Sequence, residues 1–269
     1  MTTVERTELI LPGPAVALGN LLGVDLPNLA EGAPLPLCWH WLYLLDRPAQ
    51  SDLGPDGHPV RNTVPQPIPG KRRMWAGGRI RTLGPLRCGE TATRRTTVLK
   101  TEQKDGRTGP LTFVAVRHEV EQVGRIVIEE RQDLVYRDPA GALGDPPPQT
   151  PVPPTAEEWN IEVTPTLLFR FSALTYNAHR IHYDLGYARD VEGYPGLVTH
   201  GPLQALVMAE AARGHGLTAA GTTYDYRLVA PLFEFQGLIV RADVHGRRAE
   251  TAARDIGGRL TARGSIVVE

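Results

Sequence analysis

Cysteine is nearly absent from this chain. Cys38 and Cys88 are the only two, far apart and outside any CxxC spacing, which argues against a disulfide framework or a cysteine-type zinc site and favours inert thiols in a reducing compartment. An excess of charge of one sign is missing too. Lysine and arginine number 29 against 30 aspartates and glutamates, so no general field recruits nucleic acid or an anionic membrane surface, although a local arginine cluster is enough to hold one phosphate. No apolar run approaches membrane-spanning length, and the start "MTTVERTELIL" lacks the basic end, long apolar core and small-residue cleavage site of a signal peptide. A cytoplasmic protein is expected.

What is present is ordinary globular material, 41% hydrophobic and 22% charged, in 269 residues. That length suits two medium-sized domains. The segment "RDPAGALGDPPPQTPVPPTAEEW" (137–159), where proline and glycine crowd out any apolar period, marks the boundary. We therefore expect domains at 1–140 and 159–269, joined by a proline-rich linker at 141–158.

In the first half, "PAVALGNLLG" (14–23) reads as a helix that begins at Pro14 and stops at Gly23. Strands are expected at 37–45 ("LCWHWLYLL"), 93–103, 111–120 and 125–137. The last three are separated by "KDGRTG" and "EQVG", which carry the glycine signals of antiparallel hairpins. Residues 55–73 are too rich in proline for regular structure and read as a long loop. In the second half a strand is expected over "WNIEVTPTLLFRFSAL" (159–174). "PLQALVMAEAARG" (202–214) is apolar on nearly every side and reads as a helix buried all round, and three to five strands are expected after it, over 223–229, 233–244, 249–255 and 258–268. A helix followed by antiparallel strands, seen twice, predicts an α+β fold in which curved sheets wrap helices.

The chemistry concentrates in "ALTYNAHRIHYDLGYARDVEGYPGLVTHGP" (173–202), which holds three of the eight histidines. His182 is the leading candidate, because an imidazole takes and returns a proton near neutral pH. Asn177 either orients a water or substrate hydroxyl beside it or forms an Asx turn. His179 and His182 have the spacing of two metal ligands, but no acidic third ligand or HExxH pattern accompanies them, and no metal site is expected. Arg180 reads as a phosphate or carboxylate contact or a solvated charge, and Asp184 as a proton partner of His182 or a cap for the following segment. Gly201, directly after His200 and ahead of the buried helix, offers a backbone N–H to a developing oxyanion. An acid–base group and an oxyanion donor leading into one pocket suit proton transfer alpha to a thioester carbonyl.

The run "NAHRIHYDLGYARDVEGYPGLVTHGPLQA" resembles the hydratase motif of the MaoC-like hotdog superfamily. "LCWHWLYLL", "KRRMWAGGRI" and "EERQDLVYRD" extend the resemblance over nearly the whole chain, to the branch of mitochondrial-type 3-hydroxyacyl-thioester dehydratases and mesaconyl-C4-CoA and itaconyl-CoA hydratases. The resemblance implies a double hotdog and an enzyme, a hydro-lyase interconverting enoyl and 3-hydroxyacyl thioesters of coenzyme A or acyl carrier protein, with no cofactor. Carried over by position, the catalytic histidine falls on His182, the oxyanion-hole glycine on Gly201 and the family aspartate on Asn177. His179, Arg180, Asp184 and His200 become supporting or substrate-binding residues. The first hotdog, without the motif, would shape the acyl pocket, with Arg72, Arg73 and Trp75 lining it and one of the arginines reaching coenzyme A phosphates. A homodimer is expected by the same resemblance. A non-catalytic acyl-thioester binder and an acyl-CoA thioesterase are the competing readings, since hotdog proteins include both.

Overall fold

The computed structural model describes residues 3–29, 32–106, 109–139, 149–217 and 221–269. In chain order the elements are β1 (Thr3–Leu9), α1 (Pro12–Leu22), β2 (Arg72–Thr82), β3 (Thr91–Gly106), β4 (Gly109–Gln122), β5 (Arg125–Arg137), β6 (Trp159–Ile161), α2 (Pro165–Leu174), α3 (Gly201–Gly214), β7 (Thr222–Leu228), β8 (Leu238–His245), β9 (Arg248–Arg254) and β10 (Leu260–Val268). The strands form one antiparallel sheet in the order β1-β3-β4-β5-β2-β7-β10-β9-β8-β6. Strands from the first half occupy one side of it and strands from the second half the other. The fold is an α+β double hotdog.

The two sides meet where β2 pairs with β7, in the register Gly77↔Arg227, Gly78↔Tyr226 and Ile80↔Tyr224. The adjacent glycines of "MWAGG" belong to this seam, because β2 is flanked by β5 and β7 at close approach. A Cβ at Gly77 would meet the Tyr226 carbonyl, and one at Gly78 the Arg131 carbonyl. Arg79 clamps the seam with two hydrogen bonds to Asp225, at 2.6 and 3.0 Å.

Helix α3 is enclosed as its composition requires, with Leu203, Ala205, Leu206, Val207, Met208 and Ala212 fully buried. Helix α1 begins two residues before the expected start, closes on Gly23 in the left-handed conformation (φ 66°), and buries Ala15, Leu18 and Leu21 while exposing Val16. The strands expected at 93–103, 111–120 and 125–137 lie within β3, β4 and β5, and the EQVG turn places Val123 and Gly124 at positive φ. Arg107 and Thr108 of the other hairpin turn, and residues 141–148 of the linker, lie outside the described residues.

Two expected strands are not strands. Residues 37–45 form a 3-10 turn at Trp39–Leu42, entered through Cys38 at φ 70° and left through Leu44 at φ 56°. Here an apolar run serves three-dimensional burial, as Trp39 donates to Glu210 at 2.7 Å while His40 and Trp41 turn to Glu130 at 3.0 and 2.9 Å. Residues 159–174 hold only the short β6 before α2, whose start is fixed by Thr164, accepting from the Leu167 N–H at 3.1 Å, and by Pro165 in the first turn.

Candidate active site

A cavity of 1020 Å³ is lined by residues of both halves, among them Gly57, His58, Arg73 and Trp75 from the first and Asn177, His179, His182 and Gly201 from the second. The loop 175–184 that follows α2 supplies the histidines. A 3-10 turn at Arg180–His182 tucks His182 inward until it is 7% exposed. Its Nδ1 lies 2.7 Å from the Val198 carbonyl, which can only accept. Nδ1 therefore carries the proton and Nε2 keeps its lone pair. Burial is the main cause that pushes the His182 pKa down to about 4; the Val198 hydrogen bond opposes it and His58 adds to it, so the ring is a neutral base near pH 7.

His182 is packed between two other imidazoles. The ring of His200 stacks on one face at 3.7 Å, and His179 meets it edge-on at 5.4 Å. His200 is fully buried behind the cavity wall, with Nε2 at 2.8 Å from the Ser172 hydroxyl, so it backs His182 and does not line the cavity. Gly201 opens α3 and lines the cavity, and its N–H makes no hydrogen bond among the described residues. A Cβ there would run into the Leu228 side-chain methyl, which would have to move, so glycine keeps this start of the helix open beside the cavity.

The remaining expected residues divide. Asn177 forms an Asx turn, its Oδ1 accepting from the His179 N–H at 3.0 Å, while the residue still borders the cavity. Asp184 caps the next turn, accepting from the Tyr187 N–H at 3.0 Å, and holds Arg180 at 2.8 and 3.0 Å. Neither Asp184 nor Arg180 lines the cavity. Arg72 is committed to the buried Glu192 at 2.6 Å, whereas Arg73 and Trp75 face the cavity, with the Trp75 indole donating to the Tyr226 hydroxyl at 3.0 Å.

Sequence reasoning missed a pair in the proline-rich loop. Asp56 accepts from the His58 backbone N–H and from His58 Nδ1, both at 3.0 Å, and the His58 ring lies over His179 at 3.9 Å. Burial alone would raise the Asp56 pKa, yet the His58 hydrogen bonds and charge bring it below the usual carboxylate range. The His58 pKa is lowered, mainly by burial and further by Arg73, with Asp56 opposing. Arg180 binds this loop to the second half, donating from its backbone N–H to the Asp56 carbonyl and from Nη1 to the Pro55 carbonyl, each at 2.9 Å. Gly57, at φ 87°, sits against Ala178 where a Cβ would collide with the Ala178 carbonyl. "PDGH" carries a turn signal, but nothing local in the sequence aims it at a histidine 121 positions away.

Asp56, His58 and His179 offer ligand atoms within 4.8 Å of one another. Their geometry suits proton handling better than a cation. His58 Nδ1 and an Asp56 carboxylate oxygen are already paired with each other at 3.0 Å, so two of the three donors are spent on their own hydrogen bond.

A double hotdog with a buried neutral imidazole and a helix-start glycine bordering one cavity is an arrangement suited to adding or removing water beside a carbonyl. The match to known proteins places it further. Residues 38–234 match the model of the hydroxyacyl-thioester dehydratase type 2 family, and the chain belongs to that family. It is 46% identical over 244 residues, 89% of this chain and 86% of the relative, to the mesaconyl-C(4)-CoA hydratase of Chloroflexus aurantiacus. In fold it is similar to HtdX of Mycobacterium tuberculosis, with TM-score 0.70 at 17% identity, covering 98% of this chain and 99% of the other. A second M. tuberculosis protein with a double hotdog fold matches with TM-score 0.54 at 14% identity, covering 99% and 95%.

Proposed function

We propose that the protein adds water across the double bond of an enoyl thioester of the mesaconyl-C4-CoA type, or removes it in reverse. The observation that carries this reading is the pairing of the His182 Nε2 lone pair with the unbonded Gly201 N–H in one cavity. As a water oxygen bonds to C3 of the substrate, the C2=C3 electron pair shifts toward the thioester carbonyl. Gly201 N–H, at the positive end of α3, faces the resulting oxyanion, while His182 Nε2 accepts a hydrogen bond from the attacking water and holds it for deprotonation. The first half shapes the acyl pocket, and its wall includes polar side chains: Arg94, ion-paired with Asp46 at 2.9 Å, His118 and Gln132. The 46% identity to the Chloroflexus mesaconyl-C(4)-CoA hydratase is what favours a short dicarboxylic acyl group.

The test is the fall in enoyl absorbance with crotonyl-, octenoyl-, mesaconyl- and itaconyl-CoA, for the wild-type protein beside His182→Ala. Turnover is expected to be fastest with a dicarboxylic substrate, and His182→Ala is expected to lose about 10²-fold or more in kcat. Tight thioester binding without turnover would instead make the protein a binding module. Thioester cleavage without hydration would make it a thioesterase.

A further inference from the structure

The family resemblance places a catalytic aspartate at position 177, and the chain has Asn177, whose side-chain oxygen is spent on an Asx turn. Amides carry no proton at neutral pH. A second acid–base group must then come from elsewhere, and the cavity wall holds one.

Resting on the hydratase reading above, we propose that His58, with Asp56 behind it, is the second acid–base residue of the site: the first half of the chain replaces the carboxylate that the second half has lost. Four observations meet here. His58 lines the cavity that also holds His182 and Gly201. Its Nδ1 is hydrogen-bonded to an acceptor-only carboxylate at 3.0 Å, so Nδ1 carries the hydrogen and Nε2 is a lone pair. The loop is locked onto the second half by the Arg180 bonds to the Pro55 and Asp56 carbonyls and by the close fit of Gly57 on Ala178. His58 also neighbours the other rings: it lies over His179 at 3.9 Å, tilted to it by 36°, and His179 in turn meets His182.

The chemistry balances with one water and one proton. His182 Nε2 and His58 Nε2 each accept a hydrogen of the same water. When the water oxygen bonds to C3, one O–H bond breaks and that proton passes to His58, because Asp56 is the carboxylate that stabilises an imidazolium among these rings. The electron pair of C2=C3 forms the enolate, and the imidazolium returns the proton to C2. The dyad ends as it began, and dehydration follows the same path backwards. Asp56 is a positioning residue in this scheme, acting through His58. The groups facing His58 are Asp56 on its own loop, Arg73 from β2, and His179 and His182 from the loop 175–184.

The experiment uses the full chain with the thioester that the wild type hydrates. His58→Gln is expected to lower kcat about 10²-fold or more with KM changed only a few-fold, and with an unfolding midpoint close to wild type. Asp56→Asn is expected to lower kcat and move the acid limb of the kcat/KM–pH profile to lower pH, because removing the carboxylate makes His58 less basic; a purely structural role would leave that limb in place. Protein treated with a chelator is expected to keep full activity. The proposal is overturned if His58→Gln keeps more than about a third of wild-type kcat, if the acid limb of Asp56→Asn stays where it was, or if chelation abolishes activity and zinc restores it. Failure of the wild type to hydrate any thioester overturns the hydratase reading itself, and this proposal with it.

Discussion

At the scale of single residues, position decides which of two chemistries a side chain performs. Asn177 and Asp184 stand beside the candidate base in sequence, yet both turn to backbone N–H groups and shape the loop. His182 and His200 differ in the same way, since one meets the cavity and the other supports it from behind. That His182 would carry chemistry was legible from its neighbours in sequence. That Asp56 and His58 would join it was not, because their approach depends on the packing of a proline-rich loop onto a segment formed by the other half. Burial of neutral histidines also has a cost in acid. A histidine with a native pKa below its unfolded value binds protons more readily when unfolded, so stability is complete above the unfolded pKa and declines as pH falls through the window toward the native one. For His118 and His182, both pushed from 6.5 to about 4 chiefly by burial, the loss between pH 8 and pH 5 is about 2 kcal/mol each. The unfolding midpoint is therefore expected to drop between pH 7 and pH 5, and His118→Gln to make that drop shallower in scanning calorimetry. An identical slope in the variant would refute this account of His118.

At the scale of elements, alternation and turn signals identified β3, β4 and β5, and uniform apolarity identified α3. The failures share one cause. Segment 37–45 and segment 159–174 are both apolar runs in which burial does not distinguish strand from helix, and the deciding features were a cap and a pair of left-handed residues. Thr164 and Pro165 are such a start signal, and they set α2 apart from β6. Thr164→Ala is expected to destabilise the protein by about 1 kcal/mol, lowering the unfolding midpoint by about 2–4 °C in calorimetry. Thr164→Ser, which keeps the acceptor, is expected to stay close to wild type. Because α2 leads directly into the loop 175–184, the same alanine variant is expected to lose some activity before it loses structure.

At the scale of the whole molecule, each half of the site depends on the other. His58 and Arg73 come from one hotdog and His182 and Gly201 from the other, and β2 and β7 hold the halves in register. A homodimer would join two cavities that are each built from a single chain. Specific activity is thus expected to stay constant on dilution through any dimer–monomer transition followed by light scattering, and a fall in activity at that transition would show that the second copy completes the site. No helix among the described residues is long and apolar enough to cross a membrane.

The β2–β7 seam also sets an order of events during synthesis. β2 is finished by residue 82, and its first neighbour β5 by residue 137, but β7 begins only at residue 222. Until then the Gly77–Arg81 edge of a complete half-sheet has unpaired N–H and C=O groups, without side chains at Gly77 and Gly78 to shield it. A nascent or truncated chain that stops short of β7 is therefore left with an open strand edge and an unfinished cavity. Such fragments are expected to aggregate by edge pairing, and the full chain closes that edge with its own β7.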